Sequence, residues 1–268
     1  LLQFEQAKNF GSLIVPKLHD PAETLRVVEA RNFGGELLLK EVQERVVVVL
    51  RMTEALSSKY HVVVANPPYM GGKGMNGPLK GWLDKNYDEA AEDLYSAFTA
   101  RAERLLITRG ISGFITMDAW AYAPAFKEFR RKILLSRPII LAAHLGARAF
   151  ETISGEVVST IAFLQENART KKGHRPAIID LRKGRSESEK MLMFAERNLR
   201  HTTLEQAEFL QIDGTPLAYW LSKKFIRTLS DAPKLVDVAK PRSGLTTSDN
   251  DRFLRNWWEV SEFNPDIQ

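Results

Sequence analysis

The stretch VVVANPPYMGG, residues 62–72, decides how this chain is read. A run of β-branched residues, which favour pleated strands, stops at an asparagine and two prolines. Proline fixes φ and carries no N–H, so Pro67 and Pro68 hold their carbonyls stiffly with no donor of their own. If His61–Ala65 is a strand of an open α/β sheet, Asn66, Pro67, Pro68 and Tyr69 fall just past its carboxyl end, where such sheets bind ligands. There the Asn66 side-chain oxygen and the Pro67 carbonyl can accept both hydrogens of an amino group, and Tyr69 offers a ring face to a planar base. Taken alone, the tetrapeptide is equally a turn that closes a strand. Its surroundings have to choose.

Working outward, Leu38, Val42, Val46, Val49, Thr53 and Leu56 recur every three or four residues and predict a helix leading into the strand. Leu94, Phe98, Ala102 and Leu105 predict a second helix, with Gly110 as its C-terminal stop. SGFITM then reads as a strand, Pro124 opens a helix carrying Phe126, Phe129 and Ile133 on one face, and PIILAAHLG and EVVSTIAFLQ read as further strands. Helices alternating with continuous apolar strands predict a mostly parallel α/β sheet covered on both faces. From Asn167 the chain turns polar and basic in ENARTKKGHRP, which places a soft domain boundary near residue 170.

Composition narrows the function. The 268 residues hold 38 Lys+Arg against 33 Asp+Glu, a formal charge of +5 that tilts weakly toward a polyanionic partner. There are no cysteines, which excludes disulfides, thiolate metal sites and a cysteine nucleophile, and the five histidines lack metal-ligand spacing. No metal is expected. No apolar stretch approaches the roughly 20 residues of a membrane span, and LLQFEQAKNF has no signal-peptide pattern, so a cytoplasmic location and no membrane contact are expected.

The NPPY knuckle and the segments after it resemble the adenine-N6 DNA methyltransferases, whose signature is Asn-Pro-Pro-Tyr or Phe after a strand. The resemblance implies a partial Rossmann-like methyltransferase sheet in residues 1–170 and the start of a DNA target-recognition module in residues 171–268. It implies S-adenosyl-L-methionine as cofactor and double-stranded DNA as partner, with Asn66, Pro67, Pro68 and Tyr69 holding the amine of an extruded adenine. EDLYSAFTARAERLLITRGISGFIT is similar to the family's next segment and puts Tyr95 and Phe98 beside the cofactor; both also fit a helix core face. LGARAFETISGEVVSTIAFLQ is similar to the segment that supplies the aromatic for the other face of the base, here Phe150, which equally fits a buried strand end. More narrowly, FGSLI, NPPYMGG and SGLTTSDNDRFLRNWWEV look like the BREX or Pgl type of phage-resistance methyltransferase and fused type IIG-like restriction-modification enzymes. That likeness implies further phage-defence subunits as partners. In it the late segment opens the recognition region, where Arg252 and Arg255 meet phosphate or only solvent, and Trp257 and Trp258 fit a structural pair better than a DNA contact.

One departure matters. The family's glycine-rich cofactor loop should precede the knuckle, yet residues 1–60 contain nothing like it, and the chain opens at Leu1 as if cut from something longer. GKGMNG, residues 72–77, fits a G-x-G-x-x-G string but follows the knuckle and is interrupted by Pro78, so it reads as a mobile loop whose Lys73 touches phosphate or stays solvated. The expectation is a fragment inactive by itself. Two rivals remain: a non-catalytic DNA-binding or assembly subunit derived from such an enzyme, and methylation of another amine in cytosine N4, RNA or a protein glutamine. A nucleotide-dependent oxidoreductase is a distant third. No general base stands out, which positioning and electrostatics can make unnecessary.

Overall fold

A computed structural model describes residues 2–32, 35–150, 158–196, 200–201 and 204–240. Arg252, Arg255, Trp257 and Trp258 lie outside the described residues. The chain divides into two compact units, Leu1–Ser230 and Asp231–Gln268. Three helices come first, α1 (Ala7–Phe10), α2 (Pro21–Glu29) and α3 (Leu37–Ser57). Asp20 caps α2 by accepting from the Glu23 N–H at 2.9 Å, with Pro21 in the first turn where its missing N–H costs nothing. The predicted helical period holds through α3, but its face is only partly covered: Leu50 and Thr53 are buried, while Leu38 and Val42 are exposed.

The remaining elements are β1 (Tyr60–Ala65), α4 (Gly77–Asn86), α5 (Leu94–Leu105), β2 (Leu106–Met117), α6 (Lys127–Ser136), β3 (Ile139–Gly146), β4 (Thr160–Glu166), β5 (Ala177–Asp180), α7 (Glu187–Ala195), β6 (Arg200–His201), α8 (Lys223–Asp231) and α9 (Leu235–Val238). The strands form one sheet in the order β1-β2-β4-β3-β5-β6. The α/β class is as expected, but the sheet is mixed rather than mostly parallel. β1–β2 and β3–β5 pair in parallel, whereas β4 runs antiparallel between β2 and β3, and β6 antiparallel to β5. The unbroken apolar run of β4 comes from its central place, bonded on both sides, and carries no information about direction.

Gly110 does not stop α5. The chain passes from Leu105 directly into β2, and the register against β1 slips between Tyr60 and Val62. At the slip Arg109 takes φ +64°, and a Cβ on Gly110 would lie 3.0 Å from the His61 carbonyl oxygen. The glycine is there for close strand approach.

Side-chain alternation splits the sheet into two faces of unequal cover. Ala142, Ile161, Phe163 and Ile178 join the main core with residues of α4, α5 and α6, such as Leu83, Tyr95, Phe129 and Ile133. On the other face only Ala143, Ile179 and Leu181 form a small cluster, packed by Met193 of α7. Toward β1 that second face is bare: Val62 and Val64 are 58% and 75% exposed, next to exposed Ile111 and Leu164. The expectation of cover on both faces therefore holds only at the β3–β5 end.

The soft boundary near residue 170 does not end the sheet. β5 and β6 lie beyond it, and so do the core residues Leu204, Phe209 and Leu217. Gln206, fully buried, accepts from the Ile139 N–H at 2.8 Å and donates to the carbonyls of Leu134 and Arg137 at 3.0 and 2.7 Å, locking this later segment onto the turn between α6 and β3. Among the described residues no helix is long and apolar enough to cross a membrane.

Candidate active site

β1 delivers the knuckle to the carboxyl rim of the sheet. Asn66 is exposed, Pro67 buried, Pro68 exposed and Tyr69 half-buried. The Tyr69 hydroxyl donates toward the Asn66 Oδ1 at 3.1 Å and lies 3.3 Å from the Ile115 carbonyl on β2. Its ring meets the edge of Tyr95 at 6.2 Å, nearly perpendicular. Burial pushes the Tyr69 phenol above its usual pKa, so it remains a neutral hydroxyl and a donor at neutral pH. Because a hydroxyl donates to it, Oδ1 is the Asn66 acceptor, and it keeps one lone pair for another donor.

The segment after Tyr69 is held by a residue that the sequence reading passed over. Asp93, at the start of α5, accepts from the Met70 N–H at 3.0 Å and the Tyr95 N–H at 3.2 Å, completing a capping box with Ser96. The Leu94 N–H donates back to the Met70 carbonyl at 3.1 Å, and Gly71 bridges to Asp93. An acid followed three residues later by a hydrogen-bonding partner, just before an apolar helix, was the visible signal in EDLYSAF. Burial raises the Asp93 pKa against the lowering pull of the Tyr95, Met70 and Leu94 amides. Asp93→Ala is expected to lower the free energy of unfolding by about 1–3 kcal/mol. Asn, which keeps the acceptor, should restore most of it in a urea titration; equal stability of wild type and Asp93→Ala would remove the anchoring role.

Residues 72–77 fold as a turn that leads into α4. Gly72–Gly74 form a 3₁₀ turn, Met75 is buried, and the Asn76 side chain caps α4 by accepting from the Leu79 N–H at 2.9 Å. Pro78, read from sequence as an interruption, sits in the first turn of α4, where proline belongs. Lys73 is exposed on the turn.

The other sequence-selected residues fall in different settings. Tyr95 is 1% exposed and stacks on Phe126 with ring centroids 5.6 Å apart, so it supports Tyr69 from inside the core. Phe98 is half-buried against the same core. Phe150 is half-buried on the same rim, beyond the end of β3, and among the described residues no ring contact joins it to Tyr69. The structure thus brings Asn66, Tyr69 and Tyr95 together, with Phe150 beyond the end of β3.

A second polar cluster on this rim has no local sequence signature. Asp118, just past β2, is 4% exposed; it accepts from the Tyr122 hydroxyl and the Ser159 hydroxyl, each at 2.5 Å, and pairs with the buried His144 Nε2 at 2.8 Å. The His144 Nδ1 lies 3.1 Å from the Tyr219 hydroxyl. Burial acts to raise the Asp118 pKa, but the bonds from His144, Ser159 and Tyr122 win and hold it below the usual carboxylate range. At the end of β5, Asp180 takes both arms of Arg182 at 2.9 and 2.7 Å. Burial opposes ionisation of Asp180 too, yet Arg182 and the Tyr219 hydroxyl outweigh it and push the pKa down to about 2. A carboxyl depressed on folding adds stability above its unfolded pKa of about 3.9 and loses it as pH falls through the folded value. The stability gap between wild type and Asp180→Asn should therefore be open at neutral pH and close between about pH 4 and 2; a gap that does not change across a pH series of urea titrations would rule the pair out.

The arrangement can orient one amine at a stiffened acceptor pair beneath an aromatic ring. Comparison with known families bears on which amine. Residues 24–150 match the Eco57I restriction-modification methylase family. The matched segment contains the knuckle, Asp93, Tyr95, Phe98, Asp118 and Phe150. Over 97% of its length the chain is 36% identical to the adenine-specific methyltransferase BrxX of Escherichia coli O9:H4 (strain HS), and 34% identical to the adenine-specific methyltransferase PglX of Lacticaseibacillus casei (strain Zhang). It spans 22% of the length of each. Among solved structures, the DrdV–DNA complex aligns with 66% of this chain and 20% of its own at 14% identity and a TM-score of 0.47.

The matched segment presents half-buried Phe98 as a wall against which a cofactor could pack. Phe98 lies one turn along α5 from the residues that hold the knuckle, while residues 2–32 and 35–60 fold as helices and connectors with no glycine cradle among them. Among the described residues no group of acids and histidines could hold a metal.

Proposed function

We propose that this chain carries the amine-binding half of an S-adenosylmethionine-dependent DNA methyltransferase acting on adenine N6 in the cytoplasm, in a phage-defence or restriction-modification setting. The observation that carries the reading is the geometry at Asn66: an exposed Oδ1, fixed as an acceptor by the Tyr69 hydroxyl, beside a proline carbonyl on the carboxyl rim. Asn66 and the Pro67 carbonyl accept the two N–H bonds of the extruded base, which turns the nitrogen lone pair outward. Tyr69 covers one face of the ring and Phe150 the other; Pro68 stiffens the turn. When bound, S-adenosylmethionine supplies an electrophilic methyl group, and Phe98 borders it with Tyr95 behind. Nitrogen acidifies as it gains the methyl, so its proton can leave to water without a dedicated base. Lys73 offers a charge to nearby phosphate. The recognition module begins in the later part of the chain, and other phage-defence subunits are its natural partners.

Nucleoside analysis of duplex DNA after incubation with the natural protein and S-adenosylmethionine tests this. N6-methyladenine is the expected product; N4-methylcytosine as sole product, or none under conditions where the cofactor binds, would overturn the reading. Titration of the natural protein with S-adenosylmethionine separates this reading from the non-catalytic rival.

A further inference from the structure

The geometry points to a second DNA contact on the carboxyl rim, an aromatic and cationic shelf at Tyr122, Trp220 and the Arg182–Arg185 turn that carries duplex backbone flanking the extruded adenine. This rests on the DNA reading above and adds residues that reading does not use.

Two large rings stand open here: Tyr122 is 47% exposed and Trp220 is 52% exposed. Neither is loose. The Tyr122 hydroxyl is tied to Asp118, and Trp220 meets Tyr219 edge-on at 5.0 Å. Arg182, clamped by Asp180, places its guanidinium 4.9 Å from the Trp220 ring centre and 5.5 Å from that of Tyr219. One chain of contacts therefore runs from Tyr122 through Asp118, His144, Tyr219, Asp180 and Arg182 to Trp220. The Leu217 N–H donates to the Ala121 carbonyl at 2.7 Å, which sets the two ring-bearing segments side by side. A rigid exposed ring loses little conformational entropy when a partner packs on it, the property that makes such rings effective contact points.

Charge agrees in sign. Arg182, Lys183 and Arg185 follow β5 on one turn, all exposed, and Arg148 is exposed beyond β3. Asp180 offsets Arg182, and Glu187 and Glu189 stand at the start of α7, Glu189 accepting from the Arg185 N–H at 2.8 Å, so the contact with phosphate falls to exposed Lys183 and Arg185. Gly146, at φ +70°, makes the junction possible, since a Cβ there would lie 3.0 Å from the Arg182 side chain. From β1 to β5 is four strand spacings, about 19 Å along the rim, or roughly five to six base pairs of duplex. One duplex can therefore reach both Asn66 and the shelf.

Anisotropy of a fluorescein-labelled duplex, titrated with the natural protein that carries this chain between about 50 and 200 mM salt, tests this without cofactor. Lys183→Ala with Arg185→Ala should reduce the salt slope by about two. Trp220→Ala should weaken binding at least about five-fold and leave that slope unchanged, while Trp220→Phe keeps most of the affinity. Wild-type affinity and slope in all three variants overturns the shelf and leaves the Asn66 reading standing. A Trp220→Phe variant that melts like wild type yet binds no better than Trp220→Ala overturns the ring contact. If the natural protein binds no duplex at any salt, the DNA reading fails together with the shelf.

Discussion

Asn66→Ala, made in the natural protein that carries this chain, is expected to abolish N6 methylation while leaving the thermal unfolding transition where it was. The side chain is exposed, and among the described residues it hydrogen-bonds the Tyr69 hydroxyl, which can turn to the Ile115 carbonyl already 3.3 Å away. Little stability is at stake. What disappears is the acceptor that fixes the amine for in-line displacement, and misplaced reacting atoms cost about 100-fold or more per ångström. Asp at this position keeps an oxygen acceptor and should retain more activity than Ala. Loss of activity accompanied by unfolding, or normal activity in the alanine variant, would each contradict the assigned role.

The largest effect on stability is expected at Arg130. This side chain on α6 is fully buried and donates to four carbonyls: Trp120 at 2.6 Å, Ala123 at 3.0 Å, Thr215 at 2.9 Å, and Gly214. It joins the turn after β2 to the turn that leads to Tyr219 and Trp220. Truncation leaves several buried acceptors without donors, each costing about 1–3 kcal/mol, so Arg130→Ala should lose at least about 3 kcal/mol. Lysine cannot replace the planar fork and should rescue little. A denaturant midpoint close to wild type in Arg130→Ala would show that water or repacking satisfies those carbonyls.

Much of the architecture was legible because period and turn chemistry are local. The spacing in α3 and α5, the strand before Asn66 and the helix start at Pro124 all follow from residues close in sequence. Strand direction did not, since the buried run in β4 looks the same whichever way it points; the link of residues 147–155 between the two predicted strands, shorter than the dozen or so residues of a crossover, was the available hint. α4 was hidden by treating Pro78 as a breaker rather than a first-turn residue. At the site the knuckle could be read directly, and Asp93 could have been found from its capping pattern. Asp118, His144 and Arg130 could not, because partners that define them, His144 for Asp118 and Thr215 for Arg130, lie 26 and 85 residues away.

The outermost position of β1 has a consequence for assembly. Its far side presents a ladder's worth of amides and carbonyls beside the bare valines, a template to which another extended segment can add. Any segment zippered there in the same direction as β1 would end about 4.8 Å from Asn66. The loop that follows it would thus open directly beside Asn66–Tyr69.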